Sequence, residues 1–381
     1  MEKELHIGLI GAGNRAGKYL SCLPHSVQVK AVVDPDALRR NHLLKRCPVA
    51  VGYAHMADIP ASEPLDAVIV AAPDRLHVPI GKEAARRGWH ILMEKPVAQS
   101  LAEYRELMAA TAGVTVGVCL EMRLHPYYRR VKELIPRLGR ILSVHHTEKI
   151  GADRMGHTFV RGLWASHKTA GPIFLSKCCH DTDFLLWALG GMPVEVHSTG
   201  SLRRFKAACA PKASTERCLT CLLKDCPYNA VRLYRERQAW TDGFTPAEGQ
   251  TVAQEIERQL REGPFGRCVY RCDNDVNDYQ EVDVTLEGGT RLHICLDGLS
   301  LEEGRITRIE GTEGTLLAQD WHIYLNNILL EDYTHLALAP LHAGADQALV
   351  EDFFHALRTG KAPVATLEDA LPAHEICFRA G

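Results

Sequence analysis

The apolar run His6-Ile7-Gly8-Leu9-Ile10 passes straight into Gly11-Ala12-Gly13-Asn14-Arg15-Ala16-Gly17 and then into a helical stretch through Leu23. A strand, a glycine turn and a helix in that order constrain the fold more than any other feature of the chain. In a dinucleotide-binding unit the first glycine permits the tight turn, the second lets the backbone approach a pyrophosphate, and a small residue such as Ala16 or Gly17 lets helix and strand pack closely. The helix amino terminus then attracts the phosphates. The glycine pattern alone also fits an ordinary strand-to-helix turn, so the next strand decides. Val29 to Val33 ends in Asp34, about 20 residues beyond the glycines, where a carboxylate accepts from both ribose hydroxyls. It would repel a 2'-phosphate, which favours NAD over NADP.

The alternation continues with Ala67 to Ala72, a helix from Pro79 to Arg87, His90 to Met93, a helix from Leu101 to Ala112 and a strand at Thr115 to Cys119. Continuous apolar runs separated by helices predict strands buried on both faces of a parallel sheet. Residues 1–121 therefore read as an α/β domain with a doubly wound Rossmann sheet. Ligands of such sheets lie past the carboxyl ends of the strands, where Pro73-Asp74-Arg75-Leu76-His77 and Glu94-Lys95-Pro96 fall. The expected cofactor residues are Gly11, Gly13, Asn14, Arg15, Asp34, Pro73, Asp74, His77, Glu94 and Lys95. A lysine packed against cofactor at a strand end can hydrogen-bond a substrate hydroxyl, and a cis bond at Pro96 is one way of aiming it.

Residues 122–381 read as a second α/β domain. Strands are expected at Ile141 to Thr147, Glu281 to Leu286, Arg291 to Leu296, Arg305 to Ile309, Thr315 to Ala318 and Ile323 to Leu325, with a helix from Gln347 to Leu357 ended by Gly360. The last residues, from Ala373, resemble the start of a further helix. His180 and Asp183 stand at i and i+3 in a segment of helical spacing, so the carboxylate can orient the ring. Asp273 to Asp278 resembles a calcium loop but lacks the glycine at position 6 and the glutamate at position 12. A turn or a substrate-side loop before the strand at Glu281 to Leu286 is the expectation there.

Taken together, Gly11-Ala12-Gly13, Asp34, Pro73-Asp74 with His77, Glu94-Lys95-Pro96, Gly171-Pro172 and His180-Asp181-Thr182-Asp183 resemble the Gfo/Idh/MocA oxidoreductases, over nearly the whole chain. The resemblance implies an amino-terminal Rossmann domain, a carboxyl-terminal α/β domain with an open, mostly antiparallel sheet, and a homodimer or homotetramer. It also makes Lys95 and His180 the catalytic residues. Members often carry an aspartate four residues before that histidine, where this chain has Ser176 with Lys177 beside it. That departure bears on the usual proton relay and makes Lys177 either a second substrate-binding cation or a side chain that points to solvent. Arg123, His125 and Asp183 are the other expected substrate residues.

The chain has 381 residues and a net charge of -3, with 24% charged residues. That balance gives no electrostatic reason to expect nucleic acid or an anionic membrane as partner. No apolar run reaches the roughly 18 to 20 residues of a membrane helix, and the opening residues Met1 to His6 lack a signal peptide's pattern, so a cytoplasmic location is expected. Thirteen cysteines in a chain this long suggest reduced thiols or metal ligands, since disulfide scaffolds are short. A Cys-rich loop spans 209–272. Within it Cys218 and Cys221 form a CxxC and Cys226 follows, leaving a fourth tetrahedral position to Cys209, Cys268 or Cys272, with Cys268 preferred. Structural zinc is the expected occupant, with an iron-sulfur cluster or plain packed thiols as alternatives. The expected activity is NAD-dependent oxidation or reduction of a secondary alcohol in a sugar, cyclitol or glycoside. Two other readings stand beside it: a glycosidase acting by transient oxidation, elimination and re-reduction, and a catalytically silent NAD-binding sensor.

Overall fold

Residues 67–70, Ala-Val-Ile-Val, are buried at every position, as a strand covered by helices on both faces requires. The computed structural model describes residues 3–329, 332–338 and 342–381. Met1 and Glu2, part of the opening hexapeptide read above, lie outside the described residues. In chain order the elements that position the site are β1 (Leu5–Ile10), α1 (Asn14–Ser21), β2 (Val27–Val33), α2 (Ala37–Leu44), β3 (Val51–Tyr53), β4 (Ala67–Val70), α3 (His77–Arg86), β5 (His90–Met93), α4 (Leu101–Ala110) and β6 (Val116–Val118). There follow α5 (Pro126–Leu134), β7 (Ile141–Ile150), α6 (Ile173–Leu189), β8 (Pro193–Ser201), α7 (Val252–Arg261), β9 (Tyr279–Leu286), β10 (Arg291–Asp297), β11 (Glu303–Gly311), β12 (Gly314–Gln319), β13 (His322–Asn327), β14 (Asp332–Ala337), α8 (His342–Thr359) and α9 (Leu367–Ala380).

The chain divides into two units. The first holds the residues through His125, the segment 245–250 and the stretch through Leu371 that contains α8. Its six strands pair in the order β3-β2-β1-β4-β5-β6, all in parallel. Ile7, Leu9, Val32, Ile69 and Leu92 form its core together with Leu349, Val350, Phe353 and Phe354 of α8. Apolar side chains more than 200 residues beyond the expected boundary at 121 thus complete the first core. Short β3, at the edge, was not among the expected strands.

The second unit holds 126–244, 251–340 and the residues from Pro372 onward. Its sheet runs β14-β13-β12-β11-β7-β10-β9-β8. Every pairing is antiparallel except that of β7 with β10, so the sheet is mostly antiparallel as expected. β8 and β14 are additional to the expected strands. The 209–272 segment is not loop throughout, for α7 lies in it. Thr251 and Gln254 cap that helix reciprocally, a signature legible in Thr-Val-Ala-Gln. Among the described residues no helix is long and apolar enough to cross a membrane.

Candidate functional site

In the first unit, Gly11 has φ +96, and a Cβ there would stand 2.5 Å from the Ala71 carbonyl oxygen at the end of β4. Only glycine lets β1 turn so close to its neighbour. A Cβ on Gly13 would meet nothing within 4 Å. That open space lies at the amino terminus of α1, whose first turn has no side-chain cap and no acidic residue, leaving the positive end of the helix dipole without a protein carboxylate in that turn. Asp34, 9% exposed, closes the other side of the turn. Its Oδ2 accepts from the Ala12 amide at 2.8 Å and its Oδ1 from the Asp36 amide at 2.8 Å. These features fit a dinucleotide: a glycine cradle, a helix amino terminus with no side-chain cap and an oriented carboxylate beside the turn.

At the end of β5, Glu94 is buried and accepts from the Tyr19 hydroxyl at 2.6 Å and from the Lys95 amide at 3.0 Å. Arg15 binds it as well. Burial alone would raise the Glu94 pKa, but the Arg15 and Lys95 charges hold it down at about 2. Arg15 also pairs with Asp346 of α8 at 2.9 Å. Its guanidinium therefore joins α1, β5 and α8 rather than extending from the glycine turn. His77 sits between two backbone carbonyls, Nδ1 at 2.7 Å from Pro96 and Nε2 at 2.9 Å from Ala72. It straps the loops after β4 and β5 together. The Lys95-Pro96 peptide is cis, and Lys95 is half-buried. Asp74 is buried at the start of the turn leading into α3, whereas Pro73 and Asn14 are exposed. Arg123, expected to meet substrate, donates to the carbonyls of Val364 and Asp369, each at 3.2 Å. His125 is buried beside it in sequence.

In the second unit, α6 carries His180, half-buried, and Asp183, 1% exposed. Ser176, in place of the family's frequent carboxylate, donates to the Ala170 and Pro172 carbonyls at 3.3 and 3.4 Å. Lys177 points to the sheet and pairs with Glu148 of β7 at 2.6 Å. Its ammonium is thus engaged by a buried carboxylate of the sheet. The pairing belongs to a buried network missed in the sequence. Arg305 of β11 reaches Glu148 at 2.8 Å and Asp181 at 2.6 Å. Asp181 also meets His146 Nε2 at 3.0 Å. A carboxylate only accepts, so His146 carries its proton on Nε2 and takes the Thr307 hydroxyl, 2.8 Å away, on Nδ1. Burial would raise the Asp181 pKa, yet Arg305 and His146 hold it well below the usual carboxylate range. Two carboxylates face two cations, which is how buried charges are tolerated. The signal was present: on β7 the buried residues are Val144, His146, Glu148 and Ile150, so two polar side chains occupy the inward phase of an otherwise apolar strand.

The Asp273–Asp278 segment is irregular backbone that leads into β9. Asp278 is fully buried, and its carboxylate accepts from the Arg203 and Arg204 amides, each at 2.7 Å. Cys218, Cys221, Cys226 and Cys268 line one small cavity, and Cys209 and Cys272 do not. Among the described residues no three His, Cys, Asp or Glu side chains already stand at the spacing that holds a metal ion.

Residues 5–120 match the family described as oxidoreductases with an NAD-binding Rossmann fold, and residues 132–378 match the carboxyl-terminal alpha/beta domain of the same oxidoreductase family. The uncharacterized oxidoreductase YrbE of Bacillus subtilis (strain 168) is 30% identical over 209 residues, covering 53% of this chain and 58% of that protein. An inositol 2-dehydrogenase of Corynebacterium glutamicum (strain R) is 24% identical, covering 51% and 57%. The chain therefore spans under three fifths of the length of either relative. The fold is also similar to that of an oxidoreductase from Agrobacterium radiobacter solved in complex with NAD+, L-tartaric acid and magnesium, with a TM-score of 0.72 at 15% identity over 99% of this chain and 95% of that one. With both of its domain models matched across nearly the full sequence, the chain belongs to the Gfo/Idh/MocA oxidoreductase family.

Proposed function

We propose that the protein is an NAD-dependent oxidoreductase that interconverts a secondary alcohol and a ketone on a sugar or cyclitol. The observation that carries this reading is the Asp34 carboxylate, held by the Ala12 and Asp36 amides beside the glycine turn. NAD, when bound, supplies the hydride acceptor. Asp34 takes the ribose hydroxyls and disfavours a 2'-phosphate, while Gly13 and the first-turn amides of α1 take the pyrophosphate. Lys95 is assigned a hydrogen bond to the reacting oxygen. His180 is assigned the hydroxyl proton, accepted as the C–H electron pair leaves, and Asp183 the orientation of that ring. Positioned acid-base groups of this kind contribute about 10²- to 10⁴-fold. The polyol class rests on relatives such as the inositol 2-dehydrogenase.

The test is a panel of cyclitols, free sugars and aryl glycosides incubated with NAD, following NADH absorbance and aglycone release in one sample. NADH appearing with a free polyol is the expected result. Aglycone release with no NADH would replace this reading with the transient-oxidation glycosidase. Bound NAD with neither product across the panel would favour the silent sensor.

A further inference from the structure

The segment from Leu202 to Asp278 contains four of its cysteines around one space, and nothing in the proposed oxidoreductase chemistry uses them. Two short backbone pairings bring them there. Arg217 and Arg267 form an isolated antiparallel bridge, flanked by the Cys218 amide donating to Gly266 and the Cys268 amide donating to Glu216, each at 2.9 Å. Cys218 and Cys268, 50 positions apart in sequence, thereby lie diagonally across the bridge, Cys218 opposite Gly266 and Cys268 opposite Glu216. A tight turn, with the Cys221 amide 3.3 Å from the Cys218 carbonyl, folds the CxxC back on itself. A second turn, closed by Asn229 N–H to Cys226 at 3.1 Å, presents the third thiol. The cavity among them is about 20 Å³, the room of a single ion or water.

An independent feature points to negative charge in that cavity. Arg161 lines it and is only 5% exposed. Its Nε donates to the Arg267 carbonyl at 2.7 Å and its Nη2 to the Tyr228 carbonyl at 2.7 Å, with the Cys218 sulfur 3.6 Å away. Its Nη1 makes no hydrogen bond although it is buried. A guanidinium cannot shed its charge, and a buried cation served only by neutral groups is costly. Four thiols do not compensate it, but four thiolates on a divalent ion carry a net charge of -2 and do.

We infer that Cys218, Cys221, Cys226 and Cys268 bind one zinc ion, with Arg161 as the charge partner of the resulting tetrathiolate. Binding converts four thiols and Zn²⁺ to a zinc tetrathiolate and releases four protons, with no oxidant or reductant involved. The side chains do not already stand at metal-holding spacing, so binding requires the four cysteines to change rotamer about χ1. A site of four cysteines leaves no open position for substrate. The ion is structural, tying the bridge at Arg217–Arg267 to the turns at 218–229, beside a local core that includes Leu233, Tyr234, Ile256 and Leu260.

The experiment measures metal in the full-length protein, purified without added metal, by elemental analysis. About one zinc per chain is expected, with Cys226→Ser abolishing it and Cys209→Ser, at an exposed cysteine outside the cavity, leaving it unchanged. Replacing zinc by Co²⁺ in the wild-type chain should give thiolate charge-transfer and tetrahedral d–d absorption, a readout that does not depend on any variant folding. Zinc retained by Cys226→Ser overturns the inference. So does a metal-free protein whose spectrum Co²⁺ does not change, or iron with acid-labile sulfide in place of zinc.

Discussion

Gly11 and Glu94 show how single residues fix the cofactor half of the site. A Cβ at Gly11 would overlap the Ala71 carbonyl at a φ of +96, so Gly11→Ala should cost ~1–3 kcal/mol and weaken NAD binding. Urea unfolding and nucleotide titration measure both, and an unchanged midpoint with unchanged affinity would contradict the geometry. Glu94 makes a pH-dependent contribution. Its folded pKa, about 2 against an ordinary 4.5, is depressed, so the stability it contributes is present above pH 4.5 and lost as pH falls toward 2. The shift corresponds to about 3 kcal/mol. Between pH 5.5 and 2.5, Glu94→Gln should lose less stability than the wild type by most of that amount, and parallel acid profiles would refute the assignment. Gly11 and Asp34 were legible in the sequence because a backbone constraint or a ribose demands one residue type at one spacing. Arg15, His77, Arg123 and Lys177 were less so. A long cation looks the same in sequence whether it reaches a ligand or, as Arg15 and Lys177 do, a buried carboxylate.

At the scale of elements, the second unit is organised by α6 lying on the sheet through charges. Asp181 of α6, Glu148 of β7 and Arg305 of β11 form one buried network with Lys177 and His146. Removing a single partner leaves an uncompensated charge, so Asp181→Ala should destabilise by about 3–5 kcal/mol. Calorimetry or denaturant melts measure it, and a loss under 1 kcal/mol would mean that the network is incidental to how the helix seats. Most strands of this sheet were legible from alternation. β8 was not, since it is exposed along much of its length and lacks the apolar phase that marks a half-buried strand. The expected strand at Ile141 to Thr147 stopped one residue short of Glu148, the carboxylate that anchors Lys177. α7 went unread although its capping box is written in the sequence.

The whole molecule returns late sequence to its first core. Phe353 and Phe354 of α8 are buried among β1, β4 and β5 side chains. Nothing in the periodicity of residues 347–357 says which core a helix joins, so the place of α8 in the first unit is not legible in the sequence. Phe353→Ala should therefore cost the nucleotide-binding unit about 3–5 kcal/mol, and residues 1–125 expressed alone should bind a hydrophobic dye and fail to melt cooperatively. A cooperative melt from that fragment would contradict the assignment of α8.

The proposed oxidation of a polyol, with Lys95 and His180 as its acid-base residues, is checked by NADH formation from the best polyol of the panel, comparing wild type with Lys95→Ala and His180→Ala while NAD affinity is measured separately. Both variants should retain NAD affinity within a few-fold and lose kcat by about 10²-fold or more. Turnover within a few-fold of wild type in either variant, with NAD still bound, would contradict it.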